Sequence, residues 1–266
     1  MNGARMLRTI TATRYVTPLR EGGSLPAIIE ADDAGLYVVK FRGAGQGAKA
    51  LIAELIAGEL ARAAGLRVPE VVLVELDPAL GRNEPDSEIR ELLKASAGLN
   101  LGMDYLPGSV TFDPLAGPFP DAAQASAIVG FDAFVTNVDR TPKNPNMLSW
   151  HRNLWLIDHG ASLYFHHSWE DWEARSQSRF GPIKDHVLLP WASALPGVEA
   201  PLRAALTREV VERTIAAIPE SWLTGTESPF PTAEAHRAAY VTWLLKRVEA
   251  LPAFLEEAAR ARAQLV

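Results

Sequence analysis

Short hydrophobic segments separated by turn residues make up the first part of the chain. Residues 9–17, 26–31 and 36–41 are rich in Ile, Val, Thr and Tyr, and glycine-containing turns lie between them. Segments of β-branched and aromatic residues bounded by such turns are typical of strands. The pattern therefore predicts three consecutive antiparallel strands.

Apolar residues at helical spacing follow the third predicted strand. They run from residue 46 to residue 64, and Gly65 stands where a glycine often ends a helix. Further apolar strands are predicted at residues 68–76 and 99–105. Residues 77–98 between them contain Pro, Gly and Asn before a short charged stretch, which predicts an insertion with one surface helix.

A proline-rich segment then separates the strand-rich part from a mostly helical part. Proline cannot continue a helix or a central strand, so no regular structure is expected there. Helices are predicted at residues 122–135, 199–218, 232–249 and 251–265, with a β-hairpin at residues 146–158. The sequence thus predicts an α+β, bilobal fold, with an antiparallel-sheet N-lobe carrying one helix (residues 1–103), a mainly helical C-lobe (residues 104–266) and a hinge near residues 102–108.

The composition is that of an ordinary globular protein and narrows the candidate partners. Hydrophobic residues make up 48% and charged residues 22% of the 266 residues, and the formal net charge is −6. Because there is no dense run of Lys and Arg, we expect no direct binding to nucleic acid or to anionic membranes. The absence of cysteine excludes disulfides, thiolate zinc sites and cysteine nucleophiles. With neither a signal peptide nor a membrane-spanning stretch, a cytoplasmic protein is expected.

Three oxygen-bearing side chains in the middle of the chain have the order and spacing of a phosphoryl-transfer site. Asp139 and Asn144 lie five positions apart in a loop stiffened by prolines, and Asp158 ends a predicted strand. In such sites one Asp orients the attacking hydroxyl, whereas an Asn and a second Asp bind magnesium. The pattern predicts Asp139 as a catalytic residue and Asn144 and Asp158 as Mg²⁺ ligands. Alternatively, Asp139 and Asn144 only form turns, as both residue types commonly do.

A candidate phosphate-binding lysine lies in the first part of the chain. Lys40 lies in the third predicted strand on the face shared with Leu36 and Val38, which alternation predicts to look inward. The next helix offers Glu54 or Glu59 as its partner, and a Lys–Glu pair of this kind holds the α- and β-phosphates of ATP in phosphoryl-transfer enzymes. Alternatively, Lys40 extends from a strand edge to solvent, as most charged side chains do.

The turn between the first two predicted strands is a weaker phosphate-binding candidate. Gly22, Gly23 and Ser24 would expose backbone N–H groups that can cover phosphates. The turn lacks a complete Gly-x-Gly-x-x-Gly pattern and is not a Walker loop. An ordinary hairpin turn is therefore the alternative interpretation.

These residues together resemble the HipA-like kinases. The resemblance spans roughly residues 15–190 and is most specific in the set Asp-Arg, Asn and Asp formed by Asp139-Arg140, Asn144 and Asp158. Lys40, Glu54 and the segment Leu101 to Gly108 agree with it, as does the motif Gly-Leu-x-Val-Pro that begins eleven residues after Glu54. The resemblance implies a protein-kinase-like fold that binds ATP and Mg²⁺ between two lobes.

The resemblance also implies roles for single residues. Lys40 would contact the phosphates, Asp139 would be the catalytic Asp, and Asn144 and Asp158 would bind the metal. The backbone of the hinge near Met103, Asp104 and Tyr105 would hold the adenine. If the family's phosphorylation within the glycine turn applies here, Ser24 is the modified residue.

The chain departs from the family pattern at two places near these residues. Thr141 stands where the family usually has His, and Asp158-His159-Gly160 replaces the tripeptide of ordinary protein kinases. These departures bear on which phosphoryl acceptor the protein uses more than on its use of ATP as the donor. The sequence predicts an ATP-dependent phosphotransferase that acts on a hydroxyl, expected to be a Ser or Thr of a protein. Two alternatives stay open: a small-molecule kinase acting on a sugar, lipid headgroup or aminoglycoside-like acceptor, and a nucleotide-binding pseudokinase.

Overall fold

Strands dominate the first part of the chain in the computed structural model, which describes residues 7–19, 25–45, 47–82, 84–224 and 228–265. The strands of this part are β1 (Thr9–Pro18), β2 (Ala27–Ala31), β3 (Leu36–Lys40), β4 (Val71–Leu76) and β5 (Gly98–Asp104). Its helices are α1 (Ala48–Ala63) and α2 (Ser87–Ala95). All of these elements were predicted from the sequence, with ends that differ by a few residues.

The five strands close into a small barrel in the order β1-β2-β3-β5-β4. The prediction of a wholly antiparallel sheet is wrong at one seam, because Thr9–Thr11 of β1 pair in parallel with Leu73–Glu75 of β4. Register shifts in β1 lie between Ala12 and Arg14 and between Tyr15 and Thr17. Such irregularities bend a strand, so β1 can pair with β4 at its start and with β2 over the rest of its length.

The two faces of β3 differ from the prediction. Tyr37 and Val39 are buried in the core of the barrel, whereas Leu36 is 40% exposed and Val38 is half-buried. The face of Leu36, Val38 and Lys40 is therefore the outer face of the sheet and not the inner one. In a closed sheet one face of each strand fills the barrel, and in β3 that face belongs to Tyr37 and Val39.

Helix α1 lies between the barrel and the helices of the second part of the chain. It buries most of its length, and its end is closed as predicted at Gly65, which has a φ of 79°. The N–H of Gly65 donates to Arg62 O at 3.0 Å and the N–H of Leu66 donates to Ala61 O at 3.0 Å. This pair of bonds is the Schellman arrangement. Because α1 is covered on more than one side, its polar Glu54 is carried into the interior.

The insertion between β4 and β5 contributes to the barrel core. Helix α2 begins at the cap Asp86, whose side chain accepts from the N–H groups of Glu88 and Ile89. Ile89 and Leu93 are buried against the barrel. The predicted surface helix therefore also closes one end of the barrel.

Helices dominate the second part of the chain. The helices are α3 (Ala122–Val135), α4 (Trp172–Arg175), α5 (Glu199–Ala205), α6 (Arg208–Ala216), α7 (Glu220–Leu223), α8 (Ala233–Glu249) and α9 (Leu251–Ala263). Strands β6 (Val110–Thr111), β7 (Met147–Trp150) and β8 (Asn153–Leu156) form a small antiparallel sheet that contains the predicted hairpin. The single helix predicted at residues 199–218 is wrong, because Thr207 caps α6 by accepting the N–H of Val210 and so begins a new helix.

The end of α3 determines where the following loop starts. Thr136 has a left-handed backbone with a φ of 54°, which is unusual for a β-branched residue and ends the helix. Arg247 of α8 donates to the carbonyl of Ala133 at 2.6 Å and to that of Phe134. Burial lowers the pKa of Arg247 to about 9. A cation at the carboxyl end of α3 satisfies carbonyl groups that the helix itself leaves open.

The larger hydrophobic core crosses the predicted boundary between the lobes. It joins α1, Val71 and Leu101 to the helices of the second part, and Trp222 Nε1 donates to the carbonyl of Leu99 at 3.1 Å. The boundary at residue 103 falls inside β5. The division into lobes at 103 and the hinge at 102–108 remain predictions. Among the described residues, no helix has both the length and the apolar character needed to cross a membrane.

Candidate active site

Lys40 forms two ion pairs with carboxylates from distant parts of the chain. Its Nζ donates to Glu54 Oε2 at 2.6 Å and to Asp158 Oδ1 at 2.5 Å. The exposed fractions of the side chains are 15% for Lys40, 1% for Glu54 and 47% for Asp158. We name Lys40, Glu54 and Asp158 the lysine cluster. Its Asp158 is the member most accessible to a ligand from solvent.

The sequence left open whether Glu54 or Glu59 is the partner of Lys40. Glu54 faces Lys40 from the middle of α1, whereas Glu59 lies near Arg62, with 3.6 Å between Glu59 Oε1 and Arg62 Nε. Burial raises the pKa of the Glu59 carboxyl. Glu54 is therefore the acidic residue of α1 that holds Lys40.

Charge pairing outweighs burial in the lysine cluster. Burial acts to lower the pKa of Lys40 and to raise that of Glu54, because desolvation disfavours a charge. The two carboxylates nevertheless hold the pKa of Lys40 above its ordinary value, and Lys40 and His159 hold the pKa of Glu54 well below the ordinary range. Both groups are charged at neutral pH, so the lysine presents a fixed cation.

The backbone around Asp158 brings its carboxylate to α1. Asp158 directly follows Ile157, whose N–H donates to the carbonyl of Asn146 at 3.0 Å, and its own φ is 54°. A Cβ on Gly160 would lie 3.4 Å from Glu54 Oε2. That distance is an ordinary van der Waals contact, so the segment at Gly160 passes beside the carboxylate that holds Lys40.

The loop after α3 binds Asp139 through several hydrogen bonds. Asn144 Nδ2 donates to Asp139 Oδ2 at 2.8 Å, and the N–H of Asp139 donates to Asn137 Oδ1 at 3.1 Å. Thr141 and Asn144 exchange backbone hydrogen bonds of 3.0 and 3.1 Å and so close the turn between them. The loop therefore fixes the two predicted residues Asp139 and Asn144 next to each other.

Asn146 connects this loop to Asp158 and was not identified from the sequence. Its Nδ2 lies 3.3 Å from Asp139 Oδ2 and 3.3 Å from the carbonyl of Asp139, and its own carbonyl accepts from the N–H of Ile157. Its φ is 49°, a conformation that Asn tolerates better than most residues. The signal available in the sequence was the second Asn of Asn144-Pro145-Asn146, which lacks the five-residue spacing from Asp139.

His159 is a second residue whose place the sequence did not give. It is fully buried, and its Nδ1 lies 3.6 Å from Glu54 Oε1, beyond hydrogen-bond distance. Within the described part of the chain, neither its ring nitrogens nor Glu54 Oε1 has a hydrogen-bond partner. His159 therefore faces the carboxylate oxygen of Glu54 that does not bind Lys40.

The predicted metal ligands offer a donor set that suits Mg²⁺. Because Asn144 Nδ2 donates to Asp139, Asn144 Oδ1 is the atom left for a cation, and Asp158 adds a carboxylate. Mg²⁺ in phosphoryl-transfer sites is usually held by one or two carboxylates together with phosphates and waters. Among the described residues, no group of three His, Asp or Glu side chains could hold a metal by itself. Asn144 and Asp158 therefore remain predicted ligands, and their oxygens alone would leave most positions around a metal to other ligands.

The predicted adenine-binding residues lie at the end of β5. Met103 pairs with Val38 of β3 and Val71 of β4, the N–H of Asp104 donates to Glu70 O at 2.9 Å, and the N–H of Tyr105 donates to Leu36 O at 3.0 Å. The N–H groups of Asp104 and Tyr105 are thus engaged within the protein. Gly22, Gly23 and Ser24, the predicted phosphate-covering turn, lie outside the described residues.

Comparisons with known proteins identify a family and similar folds. A family model described as HipA-like kinase matches residues 13–255. The fold is similar to that of the Helicobacter pylori proinflammatory kinase CtkA, with a TM-score of 0.54, 13% identity and coverage of 97% of this chain and 98% of that one. It is also similar to the Golgi casein kinase with Mn/ADP bound, with a TM-score of 0.50, 12% identity and coverage of 95% and 73%. No curated protein matches the chain.

The two structural neighbours share too little sequence to show more than a kinase-like fold. The family model is the stronger finding, because it extends from the first strand of the barrel to the last helix and includes every member of the lysine cluster. The chain belongs to the HipA-like kinase family.

Proposed function

We propose that the protein is an ATP-dependent phosphotransferase that transfers the γ-phosphoryl group to the hydroxyl of a protein Ser or Thr. The observation that carries the proposal is the position of Lys40, whose Nζ lies within 2.6 Å of Glu54 and 2.5 Å of Asp158. In protein kinases a lysine held by a helix Glu binds phosphates beside the metal-binding Asp. The contacts of Lys40 with Glu54 of α1 and with Asp158 support the same arrangement here.

We propose that the nucleotide lies between the barrel and the helical part, in a cleft between two lobes. Lys40 would bind the α- and β-phosphates, and Gly22, Gly23 and Ser24 would cover them. Adenine would lie against Met103, Asp104 and Tyr105 at the proposed hinge. Because the N–H groups of Asp104 and Tyr105 already donate to other carbonyls, we expect adenine to be held by other backbone groups of this segment.

Asp139 would orient the acceptor hydroxyl and accept its proton. Asn144 and Asn146 both donate to Asp139 Oδ2, so the carboxylate is held in one direction by neutral amides that leave its charge in place. Asn144 Oδ1 and Asp158 would hold Mg²⁺. When bound, Mg²⁺ would neutralise negative charge on the transferred phosphate. The Golgi casein kinase, which shares the fold, contains Mn/ADP, and this donor set suits the same class of ligand.

Backbone strain at the same place supports a functional site. Asn146 and Asp158 both have left-handed backbones, with φ values of 49° and 54°. Such conformations of residues other than glycine cost free energy and persist where the surrounding structure enforces them, often at active sites. Asn146 accepts the hydrogen bond from the N–H of Ile157, and Asp158 directly follows Ile157. This bond connects the loop to the proposed metal-binding segment.

A transfer assay with γ-labelled ATP tests the proposal. The purified protein would be incubated with Mg²⁺, labelled ATP and either Ser/Thr peptide mixtures or a panel of sugars, lipid headgroups and aminoglycosides. We expect label on peptides, and we expect Asp139→Asn to reduce turnover by about 10²- to 10⁴-fold while nucleotide still binds. Lys94→Met is the control, because Lys94 is an exposed lysine of α2 with 73% of its side chain accessible.

Three outcomes would contradict parts of the proposal. Label on a small molecule instead of peptides would replace the proposed acceptor with the small-molecule alternative. Nucleotide binding without transfer to any acceptor would indicate a pseudokinase. Wild-type turnover in Asp139→Asn would remove the role assigned to Asp139.

A further inference from the structure

Asp132 of α3 lies at the centre of a buried hydrogen-bond network below the proposed catalytic loop. Its carboxylate accepts from Arg140 Nε at 2.5 Å, from His186 Nε2 at 2.9 Å and from Asn137 Nδ2 at 3.1 Å. The side chains of Asp132 and Arg140 are fully buried and that of His186 is 2% exposed. We name Asp132, Arg140 and His186 the arginine cluster. Two of the three donors, Asn137 and Arg140, come from the loop after α3, and the third, His186, comes from later in the chain.

Arg140 extends from this carboxylate to the backbone of the active site. Its Nη1 donates to the carbonyl of Asn146 and lies 3.4 Å from the carbonyl of Ile157. Asn146 contacts Asp139, and Ile157 directly precedes Asp158. One guanidinium thus touches both backbone segments that carry the proposed catalytic Asp and the proposed metal-binding Asp.

His186 donates to the same oxygen of Asp132 as Arg140 does. Its Nδ1 accepts the N–H of Leu188 at 3.0 Å, so the neutral ring carries its proton on Nε2 and donates that proton to Asp132. The N–H of Val187 donates to the carbonyl of Arg140 at 3.0 Å. Residues 186–188 therefore bind both the side chain and the backbone of the arginine cluster.

Stability alone does not account for this arrangement. Buried ion pairs are often no more stabilising than apolar side chains of the same size, because desolvation offsets the attraction. The directions of the Arg140 bonds instead fix two backbone segments relative to each other. In addition, Arg140 Nη2 is buried with no hydrogen-bond partner in the described residues. The hydrogen bonds of Nε and Nη1 therefore determine the position of the guanidinium.

We propose that Asp132, Arg140 and His186 are positioning residues that set the distance between Asp139 and Asp158. This inference rests on the proposed function. Because all three side chains are buried, they would act through the backbone at Asn146 and Ile157 and not by contact with nucleotide or acceptor. Substitution should therefore change the rate of transfer and leave the binding of nucleotide nearly unchanged.

The kinetic test compares two variants of His186. Gln places a side-chain N–H where His186 has Nε2, whereas Leu removes the donor. We expect His186→Leu to lower kcat by about 10- to 100-fold with KM for ATP changed by less than about threefold, and His186→Gln to restore most of kcat. Equal kcat values for His186→Leu and the wild type, or equal losses of kcat and nucleotide affinity, would overturn the inference.

A second readout does not depend on enzymatic activity. Hydrogen exchange of the nucleotide-free protein would be compared between wild type, Asp132→Asn, His186→Leu and Leu93→Ala. Leu93 is a buried residue of α2 outside the proposed site. We expect exchange in peptides covering residues 139–147 and 156–160 of the two cluster variants to increase about tenfold more than exchange in the barrel strands.

Leu93→Ala controls for a general loss of stability. If its exchange increases at residues 139–147 and 156–160 as much as in the cluster variants, the arginine cluster is only structural and the inference is wrong. If Asp132→Asn does not fold, the exchange and kinetic data for His186→Leu still test the inference. If the wild type transfers no phosphate, the proposed function fails, whereas the exchange data still test whether the cluster fixes these two segments.

Discussion

The lysine cluster pairs a cation with two carboxylates and the arginine cluster pairs a cation with one, and the two clusters differ in exposure. Asp158 of the lysine cluster has 47% of its side chain accessible, whereas Asp132 and Arg140 of the arginine cluster have none. The lysine cluster joins side chains only. The arginine cluster ends on backbone carbonyls of Asn146 and Ile157.

This difference separates a site that can exchange its partners from one that cannot. In the proposed function, phosphates and Mg²⁺ would replace the contact between Lys40 and Asp158, since Asp158 is half exposed. No ligand from solvent can reach Asp132 without opening the core. We therefore expect the lysine cluster to govern binding and chemistry, and the arginine cluster to govern stability and geometry.

The largest effect on stability is expected in the arginine cluster. Asp132→Asn keeps the shape of the side chain but leaves the buried Arg140 without its counter-charge. Removal of one partner from a buried pair typically costs about 3–5 kcal/mol. Denaturant unfolding of the variant and the wild type measures the change. A loss below about 1 kcal/mol would show that the two clusters do not differ as described.

The matched change in the lysine cluster should affect activity and not stability. Asp158→Asn also keeps the shape of the side chain, and Lys40 keeps Glu54 as a partner. We expect the unfolding free energy to change by less than about 1 kcal/mol. Transfer from Mg²⁺-ATP should fall by about 10²- to 10³-fold, because a charged metal ligand is lost. A variant with full activity would remove Asp158 from the site.

The pH dependence of stability should separate buried histidines from carboxylates. Burial holds the pKa of His186 and of His166 below the ordinary value in the folded protein. The unfolded chain then binds more protons, so stability should fall as the pH drops below about 6.5, by up to about 1.4 kcal/mol per pH unit for each histidine. His186→Gln should flatten this slope, as measured by unfolding between pH 7 and pH 5. An unchanged slope would contradict the assignment.

The carboxylates act in a lower pH range. Lys40 and His159 depress the pKa of Glu54, and Arg140 and His186 depress that of Asp132, in both cases against burial. Their stabilisation is present above the pKa of an unfolded carboxyl and is lost only as the pH falls through the depressed folded values. The change in unfolding free energy below pH 4 therefore reports on the carboxylates of both clusters, whereas the change near pH 6 reports on the histidines.

The smallest effect is expected for an ion pair on the surface. Arg14 and Glu30 lie 2.8 Å apart with 63% and 38% of their side chains exposed. Exposed pairs contribute about 0.2–1 kcal/mol because water and salt screen them. Arg14→Ala, measured by the same denaturant unfolding, should therefore stay below about 1 kcal/mol. A loss as large as that of Asp132→Asn would mean that exposure does not distinguish the ion pairs of this protein.

Much of the fold could be predicted from local patterns. The strands of the barrel, α1 with its end at Gly65, and the β7–β8 hairpin all follow from residue type, period and turn chemistry, which act over a few neighbouring positions. The closure of the barrel could not be predicted in this way. It depends on the pairing of Thr9–Thr11 with Leu73–Glu75, more than sixty positions apart, and on irregularities in β1 that leave no clear mark in the sequence.

In the site, too, features set by neighbouring residues could be predicted and features set by distant contacts could not. Asp139, Asn144 and Asp158 stand in a recognisable spacing, and the hydrogen bond between Asn144 and Asp139 places the first two together. The inward face assigned to Lys40 was wrong, because the closed sheet reserves its interior for Tyr37 and Val39. Lys40 is covered instead by Glu54 and Asp158.

Asp132 and His186 could not be found from the sequence. Asp132 lies within the apolar helix α3, and His186 lies in a segment without a repeating pattern. They meet only in the folded protein, where His186 Nε2 donates to Asp132 across 54 positions of the chain. A buried Asp in an otherwise apolar helix was the available signal, since an ionised residue in such a place requires a partner.

A crystal structure with Mg²⁺ and a non-hydrolysable ATP analogue tests the central claim most directly. We predict Lys40 Nζ against the α- and β-phosphates while Glu54 keeps its contact with Lys40. Oxygens of Asn144 and Asp158 should lie at about 2.0–2.1 Å from the metal. A nucleotide bound elsewhere, or a metal that contacts neither Asn144 nor Asp158, would contradict the account.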